Sequence, residues 1–460
     1  MIEAGSFRDP EARVFYDTGR VLRGLSATAA EADAAARDAG VVDQLVESGV
    51  LVKNWRVPDV PAPAGVPDAA IVESERIPVI SYPAEWSFAM LQDAALATLD
   101  ANLMSLESGF ILKDASAFNV TFEGMRPVIL DASSLEPFGE KGVWNAYGQF
   151  CDHFLAPLFL EAYAGVPLHR VLRTATEGLP ITDLDRMLRG RSRRRKGVLT
   201  HVRLRARLER RAADMDTASR RQVGETALPR EAVIGTVRRM RKLVAGLTSA
   251  ADSTWAQYES ALPYEDAGAR DKAAFVDATT TRALQTNLAI DVGANAGLFT
   301  KALARRFDRV VAVDNDPGAI DALYRIPDER SRSRVVPLVL DITNPTPGFG
   351  WRGTERKSFA ERVQADFATW LAVVHHLCLG QGIPLPEVVA LIADLSPEAV
   401  VEFVDPADPM AHRITASRRA VTVPYTRELF EELAGARFRI VTAEQVADTR
   451  TLYHLVRTGS

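Results

Sequence analysis

Three groups of residues in this chain have the types and spacing of a chemical site. The first is Asp291-Val292-Gly293-Ala294-Asn295-Ala296-Gly297, with Asp314 further on. Two glycines let a backbone turn tightly and approach a ligand closely. An acid about 20 residues past the first glycine can accept both hydroxyls of a ribose. The second group is Asp114, Asn119 and Asp131, set around a Glu123-Gly124 turn. An Asp, an Asn five residues later and an Asp after the next strand suit phosphoryl transfer: one acid for the attacking hydroxyl, the others for a metal. The third is His375-His376. Imidazoles titrate near neutrality and can take a proton from an acceptor. Adjacent histidines do not suit a shared metal, because neighbours on a helix point about 100° apart. No metal-ligand set is read from the sequence. The bland reading of the pair is one packed and one solvated histidine at a helix start.

The first group decides the ligand class. A dinucleotide site wants G-x-G-x-x-G with the pyrophosphate on a helix N-terminus. Here the spacing is Gly293-x-x-x-Gly297, and Asp291 precedes it. A carboxylate repels pyrophosphate but suits an amine and a sulfonium. The stretch resembles motif I and the following acidic motif of class I S-adenosylmethionine (SAM) methyltransferases, whose usual form is (D/E)-x-G-x-x-x-G. The resemblance implies SAM as cofactor. It implies that Asp291, Gly293, Ala294, Asn295 and Gly297 cradle its methionine part and that Asp314, with its neighbour Asn315, holds the ribose. It places Asp341 at the adenine amino group and Ile342 beside the ring. The alternative is an ordinary βαβ turn with no ligand.

These residues need an α/β scaffold. Apolar runs predict parallel strands at 288–290, 310–313, 335–340, 366–374 and 400–404, with a helix over 298–307. Each candidate acid or histidine then falls at a strand's carboxyl end. Asp341 closes the third strand, His375-His376 the fourth and Asp405 the fifth. Residues 437–441 and 452–457 predict the closing antiparallel pair of a Rossmann-like methyltransferase sheet. The resemblance covers roughly 255–460. Ahead of the first strand stand Trp255, Tyr258, Tyr264, Lys272 and Phe275. In this family helices at that place cover the cofactor and shape the acceptor pocket, so Tyr264, with Asp405, is a substrate-binding candidate. Asn344-Pro345 is not the tetrapeptide of amino-methyltransferases, because it follows the third strand rather than the fourth. Residues 351–356 read as a charged turn.

The front of the chain predicts an α+β domain over 1–180. Strands are expected at 13–16, 50–53, 77–81, 120–122 and 127–130, helices at 27–39 and 87–108, and one apolar helix over 144–164 that packs His153. With Asp114, Asn119 and Asp131, this layout resembles a protein-kinase or small-molecule phosphotransferase fold. It departs from that pattern. No glycine-rich phosphate loop precedes it, Leu112-Lys113 stands where His-Arg would, and Ala-Ser follows Asp131. The expectation is therefore a non-catalytic scaffold or binding module. An active phosphotransferase, or a hairpin unrelated to kinases, are the alternatives. The whole resembles a group of bacterial methyltransferase-like proteins.

Residues 181–254 predict a basic helical connector, with arginines bursting from Arg189 to Lys196 and following on a helix to Arg211. That is either a nucleic-acid or phosphate patch or a solvated helix pair. The second reading is preferred, because no aromatics interleave and the 460-residue chain carries a formal charge of −5. The acceptor is accordingly expected to be a small molecule rather than nucleic acid. An apolar fraction of 47% and a charged fraction of 25% are those of a globular protein. No apolar run approaches ~18 residues, so neither a signal peptide nor a membrane span is expected. Two distant cysteines, Cys151 and Cys378, give no disulfide framework and point to the cytosol. The sequence thus reads as a SAM-dependent methyltransferase with a kinase-like front. A SAM-binding pseudoenzyme and a bifunctional phosphotransferase–methyltransferase are its alternatives.

Overall fold

The computed structural model describes residues 1–213, 227–251, 267–416 and 424–458. The chain divides into two compact units. The first comprises Met1–Glu123, Pro127–Asp252 and Gly348–Lys357; the second, Gly124–Arg126, Ser253–Pro347 and Ser358–Ser460.

In the first unit β1 (Ala12–Asp17) and β2 (Arg20–Leu25) form a hairpin. Its turn residues Thr18 and Gly19 both have positive φ (46° and 84°), the geometry that matches strand twist in a two-residue connection. β3 (Asn54–Arg56) and β4 (Ala70–Ser74) complete an antiparallel sheet of order β1-β2-β4-β3. Ser26 caps the helix Ala27–Asp38 through the Ala29 amide, and Ser87 caps the helix Phe88–Glu107 through the Met90 amide. β5 (Phe110–Leu112) pairs with β8 (Leu135–Pro137). Between them lies the hairpin of β6 (Val120–Glu123) and β7 (Arg126–Ile129). β9 (Lys141–Gly142) pairs with β10 (Leu228–Pro229).

Three expectations for this unit fail. Residues 77–81 form no strand, and 50–53 contribute only a bridge from Leu51 to Ile129. The sheet instead takes its fourth strand from 70–74, whose Ile71 and Val72 face two separate small cores. The helix expected over 144–164 is interrupted by a π-helical turn, Cys151–Leu155. Pro157 follows immediately; it has no N–H to give back to His153, so the ladder must widen there. Of the connector expected over 181–254, the part up to Asp252 is grouped with this unit, as is the charged turn of Gly348–Lys357. Arg8 meets Glu355 with two hydrogen bonds, at 2.8 and 3.1 Å, and the Arg356 guanidinium lies 4.6 Å over the Phe118 ring.

The second unit is built on seven strands. They are β11 (Leu288–Val292), β12 (Arg309–Asp314), β13 (Val335–Val339), β14 (Phe367–Trp370), β15 (Glu398–Val404), β16 (Phe438–Ala447) and β17 (Arg450–Arg457). Their order is β13-β12-β11-β14-β15-β17-β16. The first five are parallel, and β17 runs antiparallel to both neighbours. This is the doubly wound Rossmann order with an antiparallel hairpin at one edge, the α/β architecture that the methyltransferase resemblance implies. β13, β14 and β15 are buried at every position, as expected of strands covered on both faces. β14 is shorter than the expected 366–374: the chain leaves the sheet after Trp370, and Ala372 takes a positive φ of 56°.

Candidate cofactor site

The strand order reverses between β12-β11 and β14-β15, so a crevice opens at the carboxyl ends of β11 and β14. The loop of the first residue group lies there. Gly293 has φ +74°, and a Cβ on it would sit 2.7 Å from Val373 Cγ2. The Gly293 and Ala294 amides both donate to the Val313 carbonyl, at 2.9 and 3.0 Å, tying the loop across to β12. Asn295 also has positive φ (47°), and its Oδ1 is buried without a hydrogen-bond partner. Gly297, φ +84°, starts the helix Leu298–Leu303, and a Cβ there would lie 2.4 Å from Leu323 Cδ1. Both glycines are thus required by backbone and by close packing.

Asp291 is buried on β11. Its Oδ2 accepts from Thr300 Oγ1 and its Oδ1 from Thr369 Oγ1, each at 2.6 Å. The register pairs Asp291 directly with Thr369 on β14. Burial pushes its carboxyl above the ordinary range, against the pull of the two hydroxyls. These two bonds fix the helix and β14 against β11, so Asp291 shapes the cradle from beneath.

Asp314 ends β12. Its Oδ2 accepts from the Asn295 amide at 3.0 Å and its Oδ1 from the Asp316 amide at 2.9 Å. Burial raises its pKa, and the Asp316 charge adds to that, while the backbone donors offset part of it. Two oxygens offer about four lone-pair sites. Asp314 therefore keeps acceptor capacity beyond its two amides. Asn315 beside it is exposed. Asp341, just past β13, accepts from the Thr343 amide and hydroxyl at 2.9 and 2.7 Å, with Ile342 half-buried between them. The Leu340 amide donates to the Asp314 carbonyl, which keeps the ends of β12 and β13 level.

His375 and His376 follow β14, their rings 4.3 Å apart. His375 is buried, its Nδ1 has no partner, and burial pushes its pKa down to about 3. His376 next to it is exposed. The charges acting on His375 belong to a network the sequence reading missed. Glu402, fully buried on β15, pairs with Lys272 at 2.7 Å and Arg450 at 3.2 Å, and Arg450 pairs with Asp408 at 2.9 Å. Asp405 follows β15 and accepts from the Ala407 amide at 2.8 Å. Tyr264, with Trp255 and Tyr258, lies outside the described residues.

In the first unit, Asp131 Oδ1 accepts from Arg23 at 2.8 Å and from the amide and hydroxyl of Ser133 at 2.9 and 2.6 Å. Its Oδ2 takes the Ser134 hydroxyl at 2.8 Å. Burial raises its pKa, but Arg23 and the serines outweigh that and hold it below the ordinary range. Asp114 accepts from the Ser116 amide, and Asn119 Nδ2 is buried without a partner. Among the described residues no cluster of three or more His, Cys, Asp or Glu could hold a metal, and no helix is long and apolar enough to cross a membrane.

No family model matches the chain. Nodulation protein NoeA of Rhizobium meliloti (strain 1021) is 32% identical over 462 residues, covering 99% of this chain and 96% of that protein. Among solved structures, the bifunctional kinase-methyltransferase WbdD overlaps 42% of this chain and 40% of its own, at 19% identity and a TM-score of 0.30. The N-methyltransferase NodS from Bradyrhizobium japonicum WM9 overlaps 42% of this chain and 99% of its own, at 14% identity and a TM-score of 0.31.

Proposed function

This chain belongs to the family of nodulation protein NoeA, and we propose, from the geometry of its second unit, that it is a SAM-dependent methyltransferase with a small-molecule acceptor. One observation carries the proposal. The Gly293–Gly297 loop lies at the point where the strand order reverses, and Asp314 stands beside it with no cationic partner among the described residues.

The residues fit SAM on three counts. Gly293 and Gly297 take positive φ and leave no room for a Cβ against Val373 and Leu323, so the loop turns as tightly as motif I requires. Asn295 Oδ1 is a buried acceptor in need of a donor. Asp314 keeps lone pairs for a ribose, and among the described residues no guanidinium or lysine pairs with its charge. When bound, SAM supplies a methyl group already activated by the sulfonium, so the protein's work is positioning and exclusion of water. Gly293, Ala294, Asn295 and Gly297 would hold the methionine part, Asp291 fixing them from below. Asp314 and Asn315 would hold the ribose, and Asp341 and Ile342 the adenine. Asp405 and Tyr264 would contact the acceptor.

A protonated acceptor needs a base. With a pKa near 3, His375 stays neutral at physiological pH but binds a proton too weakly to take one from a hydroxyl or ammonium. The base role therefore falls to the exposed His376, with His375 as its ring support. Asp131, occupied by Arg23 and two serines, favours a scaffold or partner-binding role for the first unit over a bifunctional enzyme. The test is incubation of SAM with the protein and an extract of small molecules. Accumulation of S-adenosylhomocysteine (SAH) above the acceptor-free rate supports transfer. SAM binding without turnover on any fraction would indicate the pseudoenzyme instead.

A further inference from the structure

Val198–Leu204 forms a π-helical turn that continues as the α-helix Arg205–Ala213. Val198, Val202 and Ala206 make its inner stripe and are fully buried. Two residues on from that stripe come Leu204 and Leu208, about 200° around the helix, so they point straight away from the unit's core. They are 52% and 51% exposed, and Leu199, one turn earlier, is 66% exposed. Leucines on the outward face of a helix are not explained by packing, and three within ten residues form a patch rather than scattered singles.

Their flank is cationic. Arg203, Arg207 and Arg211 recur at i, i+4 and i+8, the first two immediately before Leu204 and Leu208, and all three are exposed. Other arginines here have acidic partners: Arg205 with Asp152 and Glu209, Arg193 and Arg210 with Asp185. Arg203, Arg207 and Arg211 have none among the described residues. The preceding turn, Gly190–Arg194, adds Arg191 and Arg194, both exposed. Residues 186–211 contain twelve Lys/Arg and one Asp/Glu, in a chain whose net charge is −5.

We infer that this face docks the protein onto an anionic lipid surface, with Leu199, Leu204 and Leu208 entering the headgroup region and the arginine row meeting the lipid phosphates. An outward leucine stripe with flanking arginines is the pattern of a helix lying in a membrane interface. Charge complementarity selects an anionic leaflet. Nucleic acid would use the arginines but leave the leucines unaccounted for. Such docking is adherence to a surface and is separate from the absence, among the described residues, of any membrane-crossing helix.

The test uses the full chain in co-sedimentation with vesicles of equimolar phosphatidylcholine and phosphatidylglycerol, against phosphatidylcholine alone. Binding is expected to the anionic vesicles and to weaken with salt. Leu204→Ser/Leu208→Ser should lower the affinity about tenfold. Arg203→Gln/Arg207→Gln/Arg211→Gln should lower it about a hundredfold, near fivefold for each charge. All six positions are exposed, and circular dichroism checks that the variants remain folded. Three results would overturn the inference: wild type left in the supernatant with anionic vesicles, a leucine variant that binds like wild type, or vesicle binding displaced by stoichiometric single-stranded RNA.

Discussion

Asp314 and Asp131 each stand at the end of a strand, each in a motif that a family uses to hold a nucleotide. Their surroundings are opposite. Asp314 receives two backbone amides and, among the described residues, no cation, and burial lifts its pKa. Asp131 receives a guanidinium, two hydroxyls and an amide, and its pKa falls. A buried acid left unneutralised is costly, and folds keep such costs where a ligand repays them. An acid saturated by the protein's own donors has its role already filled. A second contrast separates Gly293, whose positive φ is pressed against Val373, from Gly19 of the β1–β2 hairpin, whose positive φ faces open space. The two units are therefore read differently, the second as a site and the first as a framework.

The largest effect expected from breaking this contrast is at Gly293. Gly293→Arg fills the cradle and forces a side chain onto φ +74° against Val373. SAM retention in equilibrium dialysis should fall beyond a thousandfold, with the far-ultraviolet spectrum preserved; retained affinity would show that the loop is not the site.

Arg23→Ala is next. Removing one partner of a buried ion pair typically costs about 3 kcal/mol, so denaturant unfolding of the first unit should shift by that order. SAM affinity should stay within twofold. If instead the variant gains magnesium-dependent ATP binding, Asp131 was being withheld from a phosphoryl site rather than serving as structure.

His376→Ala should lower turnover about a hundredfold with SAM affinity unchanged, and remove a limb of the pH–rate profile that lies below the ordinary histidine value, because burial and the Arg450 charge lower the His376 pKa. His375→Ala should leave that limb in place, because its own pKa lies near 3. Loss of the limb in the His375 variant alone would reverse the assignment.

The smallest effect concerns Asp291. Its folded pKa is raised above the ordinary ~3.9. A raised acid binds its proton more tightly when folded, so its contribution is present below that ordinary value and is lost as pH rises through the folded one. Asp291→Asn keeps the shape and removes the charge. The variant's stability should change less than wild type's on acidification from neutrality through that window. Parallel pH–stability curves would mean that Asp291 carries no net strain.

Much of the second unit was legible in sequence because parallel strands covered on both faces appear as continuous apolar runs, four of the five closed by an acid and the fourth followed by His375-His376. Asp291, Gly293, Asp314 and Asp341 could be placed from that pattern alone. What lines them could not. Thr369 meets Asp291 only through the register of β11 with β14, seventy-eight residues apart in sequence. Glu402 sat unremarked within an expected strand, because its partners Lys272 and Arg450 come from a helix and from β17. The first unit was less legible, since its sheet is small and its strands carry little period. Residues 77–81 have the composition of a strand but form none, whereas 70–74 pair on both sides, with β2 and β3. The break at 151–155 was readable in principle from Pro157, which a purely apolar count passes over.

The central claim is that Asp314, with no cationic partner among the described residues, is the ribose acceptor of a SAM site. Calorimetric titration of SAH into wild type and Asp314→Ala tests it most directly. The account predicts saturable binding of one SAH per chain to wild type. It predicts at least a tenfold loss in the variant, the scale of one charge-assisted hydrogen bond. A folded wild type that takes up no SAH, or two proteins that bind it equally well, would contradict it.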